Sequence, residues 1–252
     1  MKTLNFISLS LLVLAISSGC SKSTNETITS NGATYYPLNL GKTMIYKVDS
    51  VIYTPQAGGT LFLDSTHSIV QEIYADTLRD AQGNLTYRID RYVSRNLVKP
   101  YDFVLTNAVF ATANPTNFLR TEGNFKYVKM LNYFTTQSEW DGNSLNDPDA
   151  VMDVATNRVF PFSKLYPSQV LNVADVYAAS GGNFLDVVTI EAKSDPQILT
   201  ERRYQLEKYA PNVGLVYREV NILDTQKLDA SIAWEKKATR GYILKQSLVG
   251  YK

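Results

Sequence analysis

Leu85-Thr86-Tyr87-Arg88-Ile89-Asp90-Arg91-Tyr92-Val93-Ser94-Arg95 is the stretch on which the fold turns. Leu85, Tyr87, Ile89 and Val93 share one face of an extended chain, and Thr86, Arg88, Asp90 and Ser94 share the other. That two-residue period belongs to a half-buried strand. Just before it, Asp80-Ala81-Gln82-Gly83-Asn84 is turn chemistry, and before the turn runs a second strand candidate, residues 60–74. Thr54-Pro55-Gln56-Ala57-Gly58-Gly59 separates this run from residues 44–53 and predicts a hairpin. Further runs rich in Tyr, Val, Ile and Thr lie at 117–121, 125–133, 171–177, 184–193, 200–209, 213–223 and 242–251. Recurrence of short strands with turns between them is the habit of antiparallel all-β domains.

Met44, Tyr46 and Val48 alternate with Ile45, Val51 and Tyr53, so this strand is apolar on both faces. A sheet covered on one side only has no use for that. The expected fold is therefore all-β: a single antiparallel, strongly curved sheet, forming a half-open barrel or a sandwich, with at most one or two short helices. The best helix signal spans residues 230–238, with Asp229 as N-cap, Lys236 and Lys237 in the last turn and Gly241 beyond the end. It is expected to pack across an open end or across the concave face. Residues 96–115 and 134–168 are punctuated by Pro and Asn and read as loops, where function is expected to reside.

Composition removes several classes of function. The chain has 252 residues, one Cys and one His, with Lys+Arg 25 against Asp+Glu 24. Single copies exclude zinc Cys/His clusters, paired redox cysteines and any intramolecular disulfide. A formal charge of +1 supplies no basic field for phosphate neutralisation, so nucleic acid is not an expected partner. No cofactor is implied by any motif.

The N-terminus reads as a targeting segment, residues 1–19. Lys2 gives a positive start, the apolar run from Phe6 to Ile16 is too short to span a bilayer, and Ser17-Ser18-Gly19 supplies small residues before Cys20. This arrangement resembles the lipobox of bacterial lipoproteins, with Ser17 where Leu is usual, as in the relaxed box of Bacteroidetes-type bacteria. The resemblance implies cleavage before Cys20 and acylation of that residue. Loss of Lys2 with the signal leaves acids and bases balanced, so the acyl chains, palmitate among them, would supply the membrane affinity, at about 0.8 kcal/mol per buried CH₂. Residues 20–34 are rich in Ser, Thr, Asn and Gly and read as a tether reaching roughly 20 Å. Residues 35–252 then form a single β domain. The acidic cluster that resembles a surface-export signal in these bacteria is missing after Cys20, so the expected location is the outer membrane, facing the periplasm.

Three longer stretches carry a resemblance. Tyr35-Tyr36-Pro37-Leu38-Asn39-Leu40-Gly41, continuing to Tyr46, resembles the opening of a group of uncharacterised Bacteroidetes-type lipoproteins that begin Tyr-Pro-Leu-x-x-Gly. Tyr127-Val128-Lys129-Met130 with Glu139-Trp140-Asp141-Gly142-Asn143, and Tyr209-Ala210-Pro211-Asn212-Val213-Gly214-Leu215-Val216-Tyr217-Arg218-Glu219, are similar to the same group, and the end Gly241-Tyr242-Ile243-Leu244-Lys245-Gln246 completes the likeness. The resemblance covers nearly the whole mature chain and implies no activity.

Candidate chemistry is sparse. His67 lies in Asp64-Ser65-Thr66-His67-Ser68, but catalytic triads are assembled from separated positions and no Gly-x-Ser-x-Gly elbow occurs. A polar strand-face histidine is expected. Glu139, Trp140, Asp141, Asn143 and Asp147 mark a loop, residues 139–149, with oxygen ligands enough for a cation, although Leu145 and Asn146 break the helix-loop-helix calcium pattern and no metal is assigned. Glu139, Asp141, Asp147, Glu191 and Glu201 could supply a carboxylate pair for glycoside chemistry, with Trp140 as a stacking platform or, more simply, a hairpin clasp. Asp-Ser50-Val, Asp-Ser65-Thr and Asp-Thr77-Leu resemble Bacteroidetes-type O-glycosylation acceptors, which makes Ser50, Ser65 and Thr77 candidate modification sites. The functional expectation is a non-enzymatic, lipid-anchored envelope protein that uses its β domain to bind an apolar ligand or an envelope protein. The alternative is a carbohydrate-active or sugar-binding module built on the 139–149 loop.

Overall fold

The structure is a computed structural model that describes residues 29–95, 102–147, 151–153, 159–161 and 168–252. Cys20 and the signal segment lie outside the described residues, as does Asp149.

A short pair opens the chain: β1 (Ser30–Asn31) followed by one helical turn, α1 (Gly32–Tyr35). Then come β2 (Thr43–Pro55), β3 (Leu61–Arg79), β4 (Leu85–Ser94), β5 (Val104–Ala113), β6 (Asn117–Glu122) and β7 (Phe125–Leu131). Two-residue strands β8 (Tyr133–Phe134) and β9 (Glu139–Trp140) and a small hairpin, β10 (Val151–Asp153) with β11 (Val159–Pro161), precede the second half. That half is β12 (Ser168–Ala179), β13 (Gly182–Lys193), β14 (Glu201–Ala210), β15 (Gly214–Asp224), a single turn α2 (Trp234–Lys237) and β16 (Arg240–Tyr251).

Twelve strands form one antiparallel sheet in the order β7-β6-β5-β4-β3-β2-β16-β15-β14-β13-β12-β9. The chain thus winds as two meanders, one on each side of a central seam where β16 pairs with β2. Partners across the sheet show that it curls until strands far apart in this order meet: Lys129 of β7 bonds to Glu207 of β14. The face holding Met44, Tyr46, Ile89, Val109 and Tyr209 becomes the interior. The barrel stays open between its edge strands β7 and β9.

The hairpin of β2 and β3 runs in register from Thr43↔Ile73 to Pro55↔Leu61, and Asp80 organises the next turn by accepting from the amides of Gln82 and Asn84. The two-faced apolar pattern of β2 has a double use. Met44 and Tyr46 enter the interior cluster, whereas Tyr53 and Val51 pack outside against Leu223, Ile243, Ala238 and Trp234.

Three sequence expectations change. Residues 96–115, read as a loop, contain the strand β5, a full member of the sheet between β4 and β6. Asn107 interrupts its apolar run, yet Asn107 pairs in register with Arg91, and a strand held on both sides tolerates a polar position that propensity alone penalises. The expected helix 230–238 shrinks to the turn α2, and Asp229 accepts from the amide and hydroxyl of Ser231 in a turn that leads into it. It covers neither an open end nor the concave face: it lies on the convex side, over Tyr53 and Leu223. At the N-terminus, Ser30–Asn31, at the distal end of the expected tether, pair with Tyr133–Phe134, and Gly32 donates to Asn132 O at 2.8 Å. A side chain at Gly32 would collide with Leu131 O, 2.1 Å from an ideal Cβ, so only glycine lets the chain dock there.

Candidate functional site

Seven charged side chains meet in the interior. Glu72 Oε1 accepts from Arg91 Nη2 at 2.8 Å and from Arg120 Nη2 at 2.5 Å. Glu122 Oε1 accepts from Arg120 Nε at 2.5 Å and Arg91 Nη2 at 3.0 Å, and lies 4.0 Å from Arg218 Nη1. Arg218 Nε sits 3.4 Å from Glu207 Oε1, which accepts from Lys129 Nζ at 2.5 Å. One continuous chain of charge therefore crosses the barrel from β3 to β7. It holds four cations against three anions.

Strand register explains the placement. Arg91 faces Glu72 across the β3–β4 pair, and Glu207 faces Arg218 across β14–β15, so each couple is preset before the sheet closes. Curling then brings β6 and β7 onto them. Glu72 and Glu207 are 3% and 2% exposed, and burying such charges without partners would cost several kcal/mol each. For Glu72, burial opposes ionisation, but Arg120 and Arg91 outweigh it and hold its carboxyl below the usual range. Glu122 is driven well below it by Arg120, Arg91 and Arg218 against the same burial, and Glu207 is held down by Lys129 and Arg218. Burial lowers the Lys129 ammonium, with Glu207 opposing.

Tyrosines line the spaces around these charges. Tyr209 donates to Glu207 Oε2 at 2.8 Å and Tyr46 donates to Leu215 O at 3.2 Å. Tyr36 enters from the N-terminal segment, its ring 5.6 Å from Phe118 and 6.0 Å from Tyr209, and burial pushes its hydroxyl up to about 12. Beside it, burial lowers Lys42 to about 8 while its ammonium donates to Pro37 O. A cavity of about 20 Å³ separates Tyr36, Tyr46, Tyr74, Glu72 and Arg120, room for one water. A second cavity of about 20 Å³ lies beside Lys129 and Glu207.

The stretches that carried the family resemblance converge here. Asn212 N donates to Thr34 O at 2.7 Å, joining the 35–46 stretch to the 209–214 turn. Lys129 reaches Glu207 from the 127–130 stretch.

The 139–149 loop has a different job from the one its acids suggested. Trp140 Nε1 donates to Val128 O at 3.0 Å and Val128 N donates to Gly142 O at 2.8 Å, so the loop bridges the gap between the two sheet edges. Trp140 is the clasp. Asp141 Oδ1 accepts from Asn143 N, Glu139 accepts from Gln169 Nε2 at 3.2 Å, and Asp147 is exposed at the end of the described loop. Glu139 and Glu191 both register with Gln169 and so stand one strand apart, with Glu191 paired to Lys193 at 2.6 Å. Glu201 lies elsewhere, 3.7 Å from Arg203. The five acids are not brought together. Among the described residues no three His, Cys, Asp or Glu side chains gather as a metal-binding group.

His67 sits on the exposed face of β3 with Nδ1 2.5 Å from Asp49 Oδ1 of β2, a cross-strand pair. Of the candidate modification sites, Ser65 and Thr77 are exposed, whereas Ser50 is half-buried and shares a hydrogen bond of 2.7 Å with Thr66.

Sequence reasoning missed the charged chain. A signal for it existed: Glu72 falls between Val70 and Tyr74, and Arg91 between Ile89 and Val93, at positions the two-residue period assigns to the apolar face.

No protein-family profile and no curated protein matches the chain. Two solved structures are similar to it. One, provisionally described as a lipoprotein from Parabacteroides distasonis ATCC 8503, shares 14% identity over 87% of this chain and 98% of its own, with a TM-score of 0.40. The other, provisionally described as an exported protein with YmcC-like fold from Bacteroides fragilis NCTC 9343, shares 15% identity over 87% of this chain and 99% of its own, with a TM-score of 0.39.

Proposed function

We propose that this protein is a lipid-anchored protein of the bacterial outer membrane that works by binding and carries out no catalysis, and that it recognises its ligand or partner on its outer surface. One observation carries the choice of surface. A carrier of apolar ligands needs an apolar concave face, and here Glu72, Arg91, Arg120, Glu122, Lys129, Glu207 and Arg218 cross that interior. Moving an acyl chain or similar ligand among them would strip charges of partners in a low-dielectric space, at several kcal/mol for each one exposed. The interior is therefore a scaffold, held by ion pairs that join its charges across strands.

The anchor reading rests on Cys20 and the segment before it. With acyl chains in the membrane and a short tether, the β domain would stand within roughly 20 Å of the headgroups. Two measurements test the proposal. In membrane fractionation, Cys20→Ser should move the protein from the outer-membrane fraction to the soluble one; continued sedimentation would refute the anchor. In native mass spectrometry of protein extracted from its own envelope, the mass should equal the lipidated chain plus any surface modification. A stoichiometric lipid beyond the anchor would restore the carrier reading.

A further inference from the structure

Across the convex face, opposite the charged interior, the turn between β13 and β14 and the segment before β16 enclose a cavity of about 290 Å³. That lies at the small end of ligand pockets, which run from about 300 to 1,000 Å³, and suits a mono- or disaccharide. Its lining includes Trp234, Tyr204, Arg202, Lys193, Asp195 and Glu201. Two flat rings, two cations and two carboxylates around one small space form a chemically mixed set that core packing does not require.

The walls are fixed. Ser194 N donates to Arg203 O at 2.7 Å and Arg203 N donates back to Ser194 Oγ at 3.1 Å, while Ile198 N donates to Asp195 O at 3.0 Å. On the other wall, Lys237, 2% exposed, places its ammonium 4.1 Å from the centre of the Trp234 ring and 3.5 Å from Leu199 O. Trp234 is thus held against the β13–β14 turn and does not swing freely.

Charge gives the pocket a preference. The Arg202 guanidinium lies 5.1 Å from the centre of the Tyr204 ring, and among the described residues no carboxylate is recorded as its partner. Lys193 already pairs with Glu191, and Glu201 lies near Arg203. Arg203, a third cation in the lining, has a buried Nε with no hydrogen-bond partner. Arg202 is the cation left for a ligand, and a stacked, planar fork of donors favours a carboxylate, which it can hold through two parallel hydrogen bonds.

We propose that this convex pocket binds a carboxylated sugar. The apolar C–H face of the pyranose stacks on Trp234 and Tyr204, its hydroxyls donate to Asp195 and Glu201, and its carboxylate meets Arg202. This inference rests on the reading that recognition occurs on the outer surface, and it does not depend on the anchor.

The test follows the full chain by tryptophan fluorescence. Trp234 reports from the pocket and Trp140 from the gap between the edge strands β7 and β9. Glucuronate, glucose and benzoate are titrated up to tens of millimolar. Glucuronate is expected to change the emission with an affinity at least about tenfold better than that of glucose, the yield of one charge-assisted pair. In Arg202→Gln that advantage should vanish while weak glucose binding survives. In Trp234→Phe the change in emission should disappear, and saturation-transfer NMR should show glucuronate binding weakened in the same variant. Circular dichroism of each variant confirms that the surface substitution leaves the fold intact. The proposal is overturned if glucuronate binds no better than glucose, if benzoate matches it, if Arg202→Gln leaves the preference unchanged, or if none of the three ligands binds. Those results leave the fractionation of Cys20→Ser untouched, so failure of this pocket and failure of the anchor are told apart.

Discussion

Replacing Lys129 by Met tests whether the interior charges are as dry as their geometry implies. Lys129 and Glu207 are 7% and 2% exposed and bond at 2.5 Å. Met keeps most of the volume and removes the charge, leaving Glu207 with Tyr209 at 2.8 Å and Arg218 at 3.4 Å. Breaking a buried pair from one side costs about 3–5 kcal/mol, and those two surviving partners put this case near the lower end, about 3 kcal/mol. For a domain of this size each kcal/mol moves the midpoint by about 2–4 °C, so Tm should fall by about 6–12 °C. Urea denaturation followed by circular dichroism, in wild type, Lys129→Met, Glu207→Gln and the double variant, reads the coupling directly. The double variant should cost at least about 2 kcal/mol less than the sum of the singles, because it leaves no orphaned carboxylate. The exposed pair Lys47–Asp49, at 3.3 Å with side chains 57% and 37% exposed, is the control and should be worth at most about 1 kcal/mol. A Lys129→Met cost below about 1 kcal/mol, or singles that simply add, would mean that water reaches the pair, and the scaffold argument would fail.

Acid should unfold the domain through the same groups. Glu72, Glu122 and Glu207 all have folded-state values below the ordinary carboxylate range, so their stabilisation is present at neutral pH and is lost as pH falls below about 4.3 toward those values. Stability measured by urea midpoint should be nearly level from pH 7 to 5 and drop steeply below about 4; a decline already complete at pH 5 would contradict the assignment. Lys42 gives a second rise of the same sign at alkaline pH, since burial lowers it to about 8 and the unfolded chain binds more protons above that pH; stability should rise between about pH 8 and 10 in wild type and lose that rise in Lys42→Met. At Gly241, with φ of +121° and Ile222 O only 1.9 Å from an ideal Cβ, Ala should cost about 3 kcal/mol or more by thermal melt, and a neutral result would show that the crossing of β15 and β16 relaxes. Trp140→Phe removes the hydrogen bond to Val128 O and should cost about 1 kcal/mol while raising amide exchange in β7 and β9; unchanged exchange would deny the clasp.

The sheet was legible in the sequence because its strands obey a period that local chemistry enforces. Leu85 to Ser94 alternate, Asp80 sits where an Asx turn is needed, and Gly58 and Gly59 both adopt positive φ at the tip of the first hairpin. What was lost lies beyond local chemistry. β5 owes its place to neighbours on both sides, and the expected helix is reduced to the turn α2, packed on Tyr53 and Leu223. The acids of the 139–149 loop stood out as candidate ligands because sequence reports their type and not their partners. In space Asp141 caps its own loop and Glu139 meets Gln169.

The charged interior shows why a cluster of buried charges need not mark a functional site. Tyr36, Lys129 and Glu207 come from three separate stretches of chain, and all three are buried. Each is needed by another: Lys129 neutralises Glu207, Tyr209 satisfies its second oxygen, and Tyr36 packs on Tyr209. Losing Lys129 or Tyr209 takes a partner from the buried Glu207 carboxylate, so chemistry constrains these positions whatever the protein binds. The outer pocket is bound by no such rule. Arg202 and Lys193 sit on a surface where substitution costs little stability, so chains sharing the interior are free to differ there, and ligand preference can change from one to the next without disturbing the sheet.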